Sequence, residues 1–441
     1  MEQEQLISIK AWFGDPNESH VVTHNWFDLL FGGLGKKDLM TCNGRIYSEM
    51  YMHLYTFMDM LSRAFAFQNK PLQEYLNIFN LLVDYFYALL KKEAIELVIF
   101  EDIPHDGGNY VLYCMAKAMG IPTLIVCQTM FPDRFFYVFD VEDFGRFDQV
   151  YEIEKMGELA GLQVKKQFEK DLFYMKEDTV TQRLQKKLEI VLNFSKWKEE
   201  RLAVWHNSQR KYGGFLKGIL QRTTKKLLEY QLDRDYVKNS QTSFNDNVDL
   251  TMNFVYFPLH MQPEMTTSAL GGIYCDQLLA IERLVDWIPD DWYIYVKENP
   301  KQTSFMRGKY FFERLKLIPK VKAVSGTFDT YELIRHSRFV ATITGTAGWE
   351  AISGGKNVVV FGKAWYYTLP GVFAFSTELS LQKVLDYQIC HEELEKRVAL
   401  LLKKTGRGLV NRDYLPMNPQ YQQEENNQQL AAFFRYILAR I

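Results

Sequence analysis

The second half of the chain alternates short apolar runs with helical segments, and this alternation constrains the fold more than any other feature. The apolar runs predict strands over 252–257, 292–296, 321–324, 339–342 and 358–361. Apolar spacing at three and four residues predicts helices over 274–287, 304–317, 330–336 and 346–353. Strands that alternate with helices of about ten residues are typical of a parallel sheet covered on both faces. The sequence therefore predicts an α/β fold.

A second α/β unit is predicted near the N-terminus. Apolar runs at 96–101 and 122–128 flank a helical segment at 110–119, which is the order of a βαβ unit. The same part of the chain contains a short strand candidate and two long helix candidates, over 6–13, 44–66 and 72–95. Two such units predict two Rossmann-like domains that face each other across a cleft.

The chain divides into four parts on these patterns. They are an N-terminal Rossmann-like domain, a basic helical insert with a linker, a C-terminal Rossmann-like domain and a tail, over 1–160, 161–245, 246–415 and 416–441. The tail is expected to begin with a Gln/Asn-rich surface turn at 418–429 and to end in a helix at 430–441.

The insert is the one strongly basic part of the chain. Residues 165–230 contain 16 Lys and Arg against 8 Asp and Glu, although the whole chain has a net charge of −2. The segment 208–228 mixes basic and apolar residues, which favours contact with an anionic membrane surface. A solvated helical face is the alternative interpretation of the same charge run.

Composition excludes several classes of protein. A balance of 52 Lys and Arg against 54 Asp and Glu argues against a nucleic-acid binder, which would be basic overall. The five cysteines form no CxxC pair, so neither a zinc ribbon nor a redox motif is present, and scattered thiols fit a reducing cytoplasm. The N-terminus lacks the pattern of a signal peptide, and no apolar run is long enough to predict a membrane span.

Ligands of parallel α/β sheets bind beyond the carboxyl ends of the strands, so polar residues after each predicted strand are candidate site residues. His105 and Asp106 follow the strand at 96–101 on a glycine-containing loop. A histidine there is suited to general acid–base catalysis, because it titrates near neutral pH. The alternative is a loop in which Asp106 caps the next helix.

The loop after the strand at 252–257 carries His260, Gln262 and Glu264 at alternating positions. Extended backbone would point the three side chains in one direction. A carboxylate in such a group is a candidate nucleophile or acid–base catalyst. The alternative is a polar loop in front of a capped helix.

The next strand ends in Lys297 and is followed by Asn299. Lys297 is placed to meet an anionic group, although a lysine at a strand end is often only solvated. After the strand at 339–342, hydroxyls and backbone N–H groups at a helix start predict an anion site at Thr344, Gly345 and Thr346. The pattern is neither a Walker loop nor GxGxxG. A tight turn that closes a βα unit is the alternative.

Three further residues complete the candidate set. Glu350 lies one turn into the helix after this loop, where a carboxylate can accept ribose hydroxyls. Trp365 and Tyr366 follow the last predicted strand, where aromatic rings can flank a base or a sugar. Core packing explains these two aromatic residues equally well.

These loops together resemble the capsule polysaccharide biosynthesis glycosyltransferases of bacteria. The resemblance rests on FPLHMQPE at 257–264, VKENP at 296–300, TGTAGWEA at 344–351 and GKNVVVFG at 355–362, with PHDG at 104–107 upstream. It is strong over 250–370 and looser over 96–135. It implies a GT-B fold, with the donor nucleotide held mostly by the C-terminal domain and the acceptor in the cleft.

The resemblance also implies a chemistry. Related members transfer 3-deoxy-manno-octulosonic acid (Kdo) or similar nonulosonic acids from CMP-activated donors, often with retention, and an acidic residue on the loop that opens the C-terminal domain acts as nucleophile. Glu264 occupies that loop here. Relatives usually carry His-Pro after the donor-domain strand, where this chain has Asn299 and Pro300. This departure keeps a UDP- or GDP-hexose donor open as an alternative.

The expected activity is metal-independent transfer of a sugar to a glycan or lipid-linked glycan, with no cofactor and no metal site, because no D-x-D motif is evident. The expected nucleotide-binding residues are Gln262, Lys297, Asn299, Thr344, Gly345, Thr346 and Glu350. The expected catalytic residues are Glu264 as nucleophile and His105 or His260 as base, and the expected acceptor or sugar contacts are Asp106, Trp365 and Tyr366. A noncatalytic scaffold of a polysaccharide assembly complex is the rival function. The expected location is cytoplasmic, peripheral at the inner membrane.

Overall fold

The computed structural model describes residues 38–63, 70–153, 164, 234–262, 265–300, 302 and 307–441. The strand predicted at 6–13 and almost all of the predicted basic insert lie outside the described residues. Elements are numbered in chain order among those described. The first group comprises α1 (Gly44–Tyr51), α2 (Leu54–Arg63), α3 (Leu72–Lys92), β1 (Val98–Phe100), α4 (Gly107–Ala118), β2 (Thr123–Gln128) and β3 (Arg134–Val138).

The second group follows a helical segment at 234–243. It comprises β4 (Phe254–Pro258), α5 (Met265–Leu270), α6 (Gln277–Trp287), β5 (Tyr293–Lys297), α7 (Lys309–Leu317), β6 (Val321–Val324), α8 (Thr330–His336), β7 (Phe339–Thr342), α9 (Thr346–Ser353), β8 (Val358–Val360) and β9 (Val372–Ala374). The chain then forms α10 (Leu381–Asp386), α11 (His391–Leu402), β10 (Gly406–Arg407) and α12 (Gln423–Leu438).

The second group builds a six-stranded sheet in the order β6-β5-β4-β7-β8-β9, and every neighbouring pair is parallel. This confirms the predicted α/β class. Successive residues of β4 enter different apolar clusters: Val255 and Phe257 pack on one side, Phe254 and Tyr256 on the other. Such two-sided burial explains why the strand reads as an unbroken apolar run.

The first sheet has the order β1-β2-β3-β10. The predicted βαβ unit is present, since β1 and β2 pair in parallel around α4. The other two pairs are antiparallel, so the described part of this sheet is mixed and departs from the parallel sheet expected of a Rossmann-like unit. The reason is the connection between β2 and β3, which is only a short turn over 129–133, whereas a parallel return needs a crossover of a dozen or more residues.

The C-terminal part of the chain returns to the first sheet. β10, predicted within the C-terminal domain, pairs with β3, and Phe433 of α12 packs edge-on against Phe135 of the same strand. Helix α12 begins seven residues before the helix predicted at 430, at Gln423. Side-chain hydrogen bonds between residues four apart, such as Gln423 to Asn427 at 2.9 Å, stabilise this Gln/Asn-rich stretch as helix rather than turn.

Three other helix predictions needed correction. The helix predicted over 304–317 begins only at Lys309, after the N-cap Gly308. The helix predicted over 44–66 is divided into α1 and α2 by a turn at Met52 and His53. The helix predicted over 274–287 is divided at Asp276, because its carboxylate accepts from the Leu278 N–H at 3.2 Å and caps α6. A 3₁₀ turn, Gly272–Cys275, occupies the start of the predicted range.

Candidate active site at the carboxyl edge of the parallel sheet

The strand order of the six-stranded sheet identifies one crevice. From β4 the chain builds outwards through β5 and β6, and it then returns to the other side of β4 with β7, β8 and β9. The order therefore reverses between β4 and β7, and ligands of open α/β sheets bind beyond the carboxyl ends of strands at such a point. His260 follows β4 and Thr344 follows β7, so both lie at this edge.

His260 links the two loops at the crevice. Its Nε2 lies 3.2 Å from Thr342 Oγ1 and accepts from the Thr344 N–H at 3.4 Å. A backbone N–H can only donate, so Nε2 is the acceptor, and the Thr342 hydroxyl accepts in turn from the Gly345 N–H at 3.3 Å. The ring is 8% exposed. This nitrogen is therefore engaged within the protein, and the arrangement favours a positioning role for His260 over a role as base.

The start of α9 is shaped by two glycines and a tyrosine. Gly345 precedes the helix and provides no side-chain cap, which leaves the positive end of the helix dipole facing the crevice. The Tyr366 hydroxyl donates to the Gly345 carbonyl, and a Cβ on Gly348 would overlap the same hydroxyl. Thr346 is the first residue of the helix. The loop is therefore a tightly packed turn, as the alternative interpretation of its glycines expected, and anion binding there stays a prediction.

Lys297 and Glu350 lie beside this turn, close enough for their charges to interact. Lys297 is 6% exposed, and its Nζ donates to Thr330 Oγ1 at 2.8 Å. Burial lowers the pKa of Lys297, against the opposing charges of Asp329 and Glu350. Burial raises the pKa of Glu350 to about 7, although the Lys297 charge opposes the rise. The site thus holds an acid that titrates near neutrality beside a cation, a combination that is enriched at functional sites.

A buried ion pair, Glu298 and Arg307, was missed by sequence reasoning. Arg307 Nε lies 3.4 Å from Glu298 Oε2, and neither side chain is more than 5% exposed. Burial raises the pKa of Glu298 and lowers that of Arg307, and each charge opposes the shift of the other. No local pattern marks Arg307, because it lies ten residues beyond the end of β5, inside the helix that the sequence predicted over 304–317, and its partners His260 and Gln262 follow a different strand.

Gln262 and Asn299 are held by backbone contacts in the same region. The Gln262 N–H donates to Gln302 Oε1 at 2.7 Å, and Gln302 Nε2 donates back to the Gln262 carbonyl at 2.8 Å. The Asn299 N–H donates to Glu298 Oε1 at 2.9 Å. Glu264, the expected nucleophile, lies outside the described residues.

The first sheet contributes His105 and Asp106 at the end of β1. Asp106 caps α4 by accepting from the backbone and side-chain N–H groups of Asn109, at 2.7 and 3.0 Å. Its capping interpretation is thereby borne out by the geometry. His105 Nδ1 lies 2.7 Å from the Ile103 carbonyl, which can only accept. The proton is therefore on Nδ1, and Nε2 is the basic nitrogen of the half-buried ring.

The two aromatic candidates occupy packing positions. Tyr366 has no exposed surface, so the prediction that it touches a sugar is wrong: its ring fills the space above Gly348. Trp365 stacks on Phe136 of the first sheet at 5.8 Å between ring centroids and meets Phe131 edge-on at 5.6 Å. Trp365 therefore joins the two sheets, and its half-buried ring is largely committed to that contact.

The candidate residues thus fall into separate groups. His260, Thr344, Gly345 and Thr346 surround one turn, and Lys297 and Glu350 lie beside it, whereas His105 and Asp106 belong to the other sheet. Within the described ranges, no three His, Cys, Asp or Glu side chains come together as a metal site would require. Of the helices that the structure describes, none combines the length and apolar character needed to cross a membrane.

Comparison with known families decides the relationship. The family model described as "Capsule polysaccharide biosynthesis protein" matches residues 151–383, more than half of the chain. The chain belongs to this family. The match includes β4 to β9 and every candidate residue of the parallel sheet, but it ends short of β10 and α12. None of the curated proteins matches this capsule polysaccharide biosynthesis protein.

Several solved structures are similar to parts of the chain. KpsC of Thermosulfurimonas dismutans, titled a beta Kdo 2,7 transferase, has 18% identity and a TM-score of 0.23 over 40% of this chain and 62% of that chain. A second KpsC structure, titled a beta Kdo 2,4 transferase, has 17% identity and a TM-score of 0.24 over 38% and 54%. The MnaA–UDP structure of S. aureus has 12% identity and a TM-score of 0.20 over 79% and 87%. This chain thus spans less than two thirds of either KpsC structure.

Proposed function

We propose that this protein is a glycosyltransferase of bacterial surface polysaccharide synthesis that uses a nucleotide-activated sugar. The observation that carries the proposal is the group of Lys297, Glu350 and the turn 344–346 at the edge where β4 and β7 diverge. A cation and a helix start suit a phosphate, and a neighbouring carboxyl group suits ribose hydroxyls. Membership of the capsule polysaccharide biosynthesis family supports a role in surface glycan assembly.

The arrangement of the two sheets is proposed to be that of a GT-B enzyme. Residues of the β2–β3 hairpin and residues that follow β7 and β8 contact each other, as in the stacking of Phe136 on Trp365. Asp59 of α2 also accepts a hydrogen bond from Ser268 of α5. The acceptor then lies between His105 of the first sheet and the donor site of the second. These contacts support the proposal.

The proposed donor is a CMP-linked ulosonic or nonulosonic acid. Such a donor carries a single phosphate between nucleoside and sugar, and Lys297 with the start of α9 offers one compact place for it. Lys297, Asn299, Thr344 and Thr346 hold this phosphate. Glu350 binds ribose, and the positive end of α9 stabilises the departing nucleotide.

The proposed reaction proceeds by two displacements without a metal ion. A Glu264 carboxylate oxygen forms a bond to the anomeric carbon, while the bond to the phosphate oxygen breaks and the nucleotide leaves with the electron pair. His105 Nε2 then takes the proton of the acceptor hydroxyl, whose oxygen displaces Glu264 and restores the carboxylate. Two inversions give retention, as in retaining glycosidases.

The protein is proposed to act at the cytoplasmic face of the inner membrane on a lipid-linked glycan. The basic segment 208–228, outside the described residues, is the proposed contact with anionic lipid. Co-sedimentation with anionic and neutral vesicles, at low and high salt, tests this part. Equal binding to neutral vesicles overturns the electrostatic contact without affecting the proposed chemistry.

The central test is a donor screen on a short lipid-linked acceptor, read by mass spectrometry, together with calorimetric titration of CMP, UDP and GDP. We expect CMP to bind and Glu264→Gln to keep CMP binding while its kcat falls more than about tenfold, a barrier increase of about 1.4 kcal/mol. Glu313→Gln, an exposed carboxyl on α7, is the matched control and keeps full activity. Binding of UDP or GDP alone favours a hexose donor, and binding of no nucleotide favours a scaffold.

A further inference from the structure

Arg307 is a completely buried cation in the connection between β5 and α7. Its side chain has no exposed surface, and its guanidinium lies 4.3 Å from the centre of the Phe311 ring. Burying a guanidinium is costly unless its charge and its N–H groups are satisfied. The hydrogen-bond partners of the Arg307 guanidinium therefore indicate the role of this buried charge.

The directional hydrogen bonds of Arg307 go to the loop after β4. Nη2 donates to the His260 carbonyl at 2.9 Å, and Nη1 donates to Gln262 Oε1. Glu298 faces the remaining nitrogen, Nε, at 3.4 Å, but this pair is too poorly aligned to count as a hydrogen bond. Glu298 thus compensates the charge of Arg307, while the two terminal nitrogens of the Arg307 guanidinium donate their hydrogen bonds to the loop.

The same loop is held from other sides. The His260 N–H donates to Gln277 Oε1 at 2.8 Å, and Gln262 exchanges two hydrogen bonds with Gln302. The backbone is therefore fixed at His260 and at Gln262, the two residues that precede Glu264 at alternating positions.

We propose that Arg307 is a positioning residue, whose guanidinium fork fixes the 260–262 loop at the edge of the donor site. This inference rests on the proposed glycosyl transfer for its catalytic consequence, but not for its structural one. Lysine carries the same charge and cannot reproduce the fork. A role limited to compensating Glu298 is therefore retained in Arg307→Lys, whereas a positioning role is lost.

The experiment compares the full-length protein with three variants. Arg307→Lys removes the fork and keeps the charge, and Gln302→Ala removes loop hydrogen bonds without changing any charge. Phe312→Leu is the matched control, because Phe312 is fully buried on α7, five residues after Arg307, and its side chain has no polar atom that could hold the loop. Hydrogen–deuterium exchange of the peptide over 259–262 is measured beside that of α9, together with kcat, the donor KM and CMP affinity.

A positioning role predicts that Arg307→Lys and Gln302→Ala speed exchange of the 259–262 peptide about tenfold or more and leave α9 unchanged. The same variants lose about tenfold to a hundredfold in kcat, with CMP affinity within about threefold of the wild type. Phe312→Leu lowers the melting temperature without either effect. Exchange and kcat of Arg307→Lys within about twofold of the wild type overturn the proposal.

The exchange measurement separates this inference from the proposed function. If the wild-type protein transfers no sugar from any donor, glycosyl transfer fails while faster exchange in Arg307→Lys still establishes that Arg307 fixes the loop. If the wild-type protein transfers sugar and exchange of the 259–262 peptide is unchanged in Arg307→Lys, Arg307 has no positioning role, and the proposed glycosyltransferase function is retained.

Discussion

At the scale of single residues, Glu350 has the most informative protonation behaviour. Its pKa of about 7 lies above the ordinary 4.5 of a glutamate, because burial disfavours the carboxylate. The folded protein therefore holds a proton there that the unfolded chain releases between pH 4.5 and about 7. The free energy of unfolding contributed by this group falls as pH rises through that window.

The first prediction concerns Glu350 and pH. If the carboxylate binds ribose hydroxyls, CMP affinity should rise between pH 6 and 8 with a midpoint near the pKa of about 7, since hydrogen bonds to a charged acceptor are the stronger ones. Calorimetric titration across this range measures the effect. Glu350→Gln should bind CMP more weakly at pH 8 and show a flatter profile. An unchanged midpoint in Glu350→Gln contradicts the assignment.

The second prediction concerns Gly348. A methyl group there overlaps the Tyr366 hydroxyl, which is held by the Gly345 carbonyl. Gly348→Ala should therefore lower the free energy of unfolding by about 1–3 kcal/mol and weaken CMP binding by displacing the turn at the start of α9. Gly44→Ala is the control, since no atom lies within 4 Å of its added Cβ. Denaturant unfolding measures the free energy of unfolding of both variants, and calorimetric titration measures their CMP binding. Equal effects in the two variants contradict the steric explanation.

At the scale of elements, the parallel sheet was largely predictable and the mixed sheet was not. β6, β7, α8 and α9 have the predicted bounds. For β7 the reason is that burial on both faces produces an apolar run that ends sharply at a polar loop. β3 was missed since its antiparallel return depends on a short turn rather than on a pattern within the strand. The start of α12 was predicted too late, because its polar side chains form hydrogen bonds with one another that stabilise the helix and that an apolar pattern does not display.

The candidate site was predictable to a similar extent. Lys297, Thr344 and Glu350 were predicted to lie at one edge because the strand ends of a parallel sheet meet there, which is a property of topology, and their role in binding stays a prediction. The role of Tyr366 was misjudged, since burial of an aromatic residue depends on packing that one sequence does not display. Arg307 gave no signal, because its partners His260 and Gln262 are distant in the chain.

The third prediction concerns the contact of β5 with α8 and α9. Lys297 at the end of β5 donates to Thr330 of α8 and lowers the pKa of Glu350 in α9. Lys297→Met should move the midpoint of the CMP-binding profile to higher pH, because the carboxylate loses its neighbouring cation. The substitution should also weaken the binding of CMP more than the binding of cytidine, because cytidine has no phosphate.

Thr330→Val is the control for Lys297→Met. It removes the hydroxyl that Lys297 Nζ contacts at 2.8 Å but retains the cation. Its binding profile should keep a midpoint near that of the wild type. A profile for Lys297→Met that has the wild-type midpoint, with equal losses for CMP and cytidine, contradicts both the phosphate contact and the coupling to Glu350.

At the scale of the whole molecule, aromatic side chains join the two sheets. Phe131 and Phe136 come from the β2–β3 hairpin, and Trp349 and Trp365 come from the parallel-sheet unit. Lys363 adds an ion pair to Glu142, whose carboxylate is largely exposed, so this pair contributes little. Apolar contact at Trp365 is therefore the principal candidate for mechanical coupling between the two units.

The final prediction concerns this coupling. Trp365→Ala removes the ring that stacks on Phe136 and should lower the free energy of unfolding by about 2–3 kcal/mol, less than a fully buried tryptophan costs. Loss of contact between the sheets should also make their thermal unfolding less cooperative, so that the calorimetric enthalpy exceeds the van't Hoff enthalpy.

Trp287→Ala is the control, because Trp287 packs against Phe339 within the parallel-sheet unit. It should destabilise without changing the enthalpy ratio. If Trp365→Ala instead weakens acceptor binding and leaves the enthalpy ratio at the wild-type value, Trp365 binds sugar and does not couple the sheets.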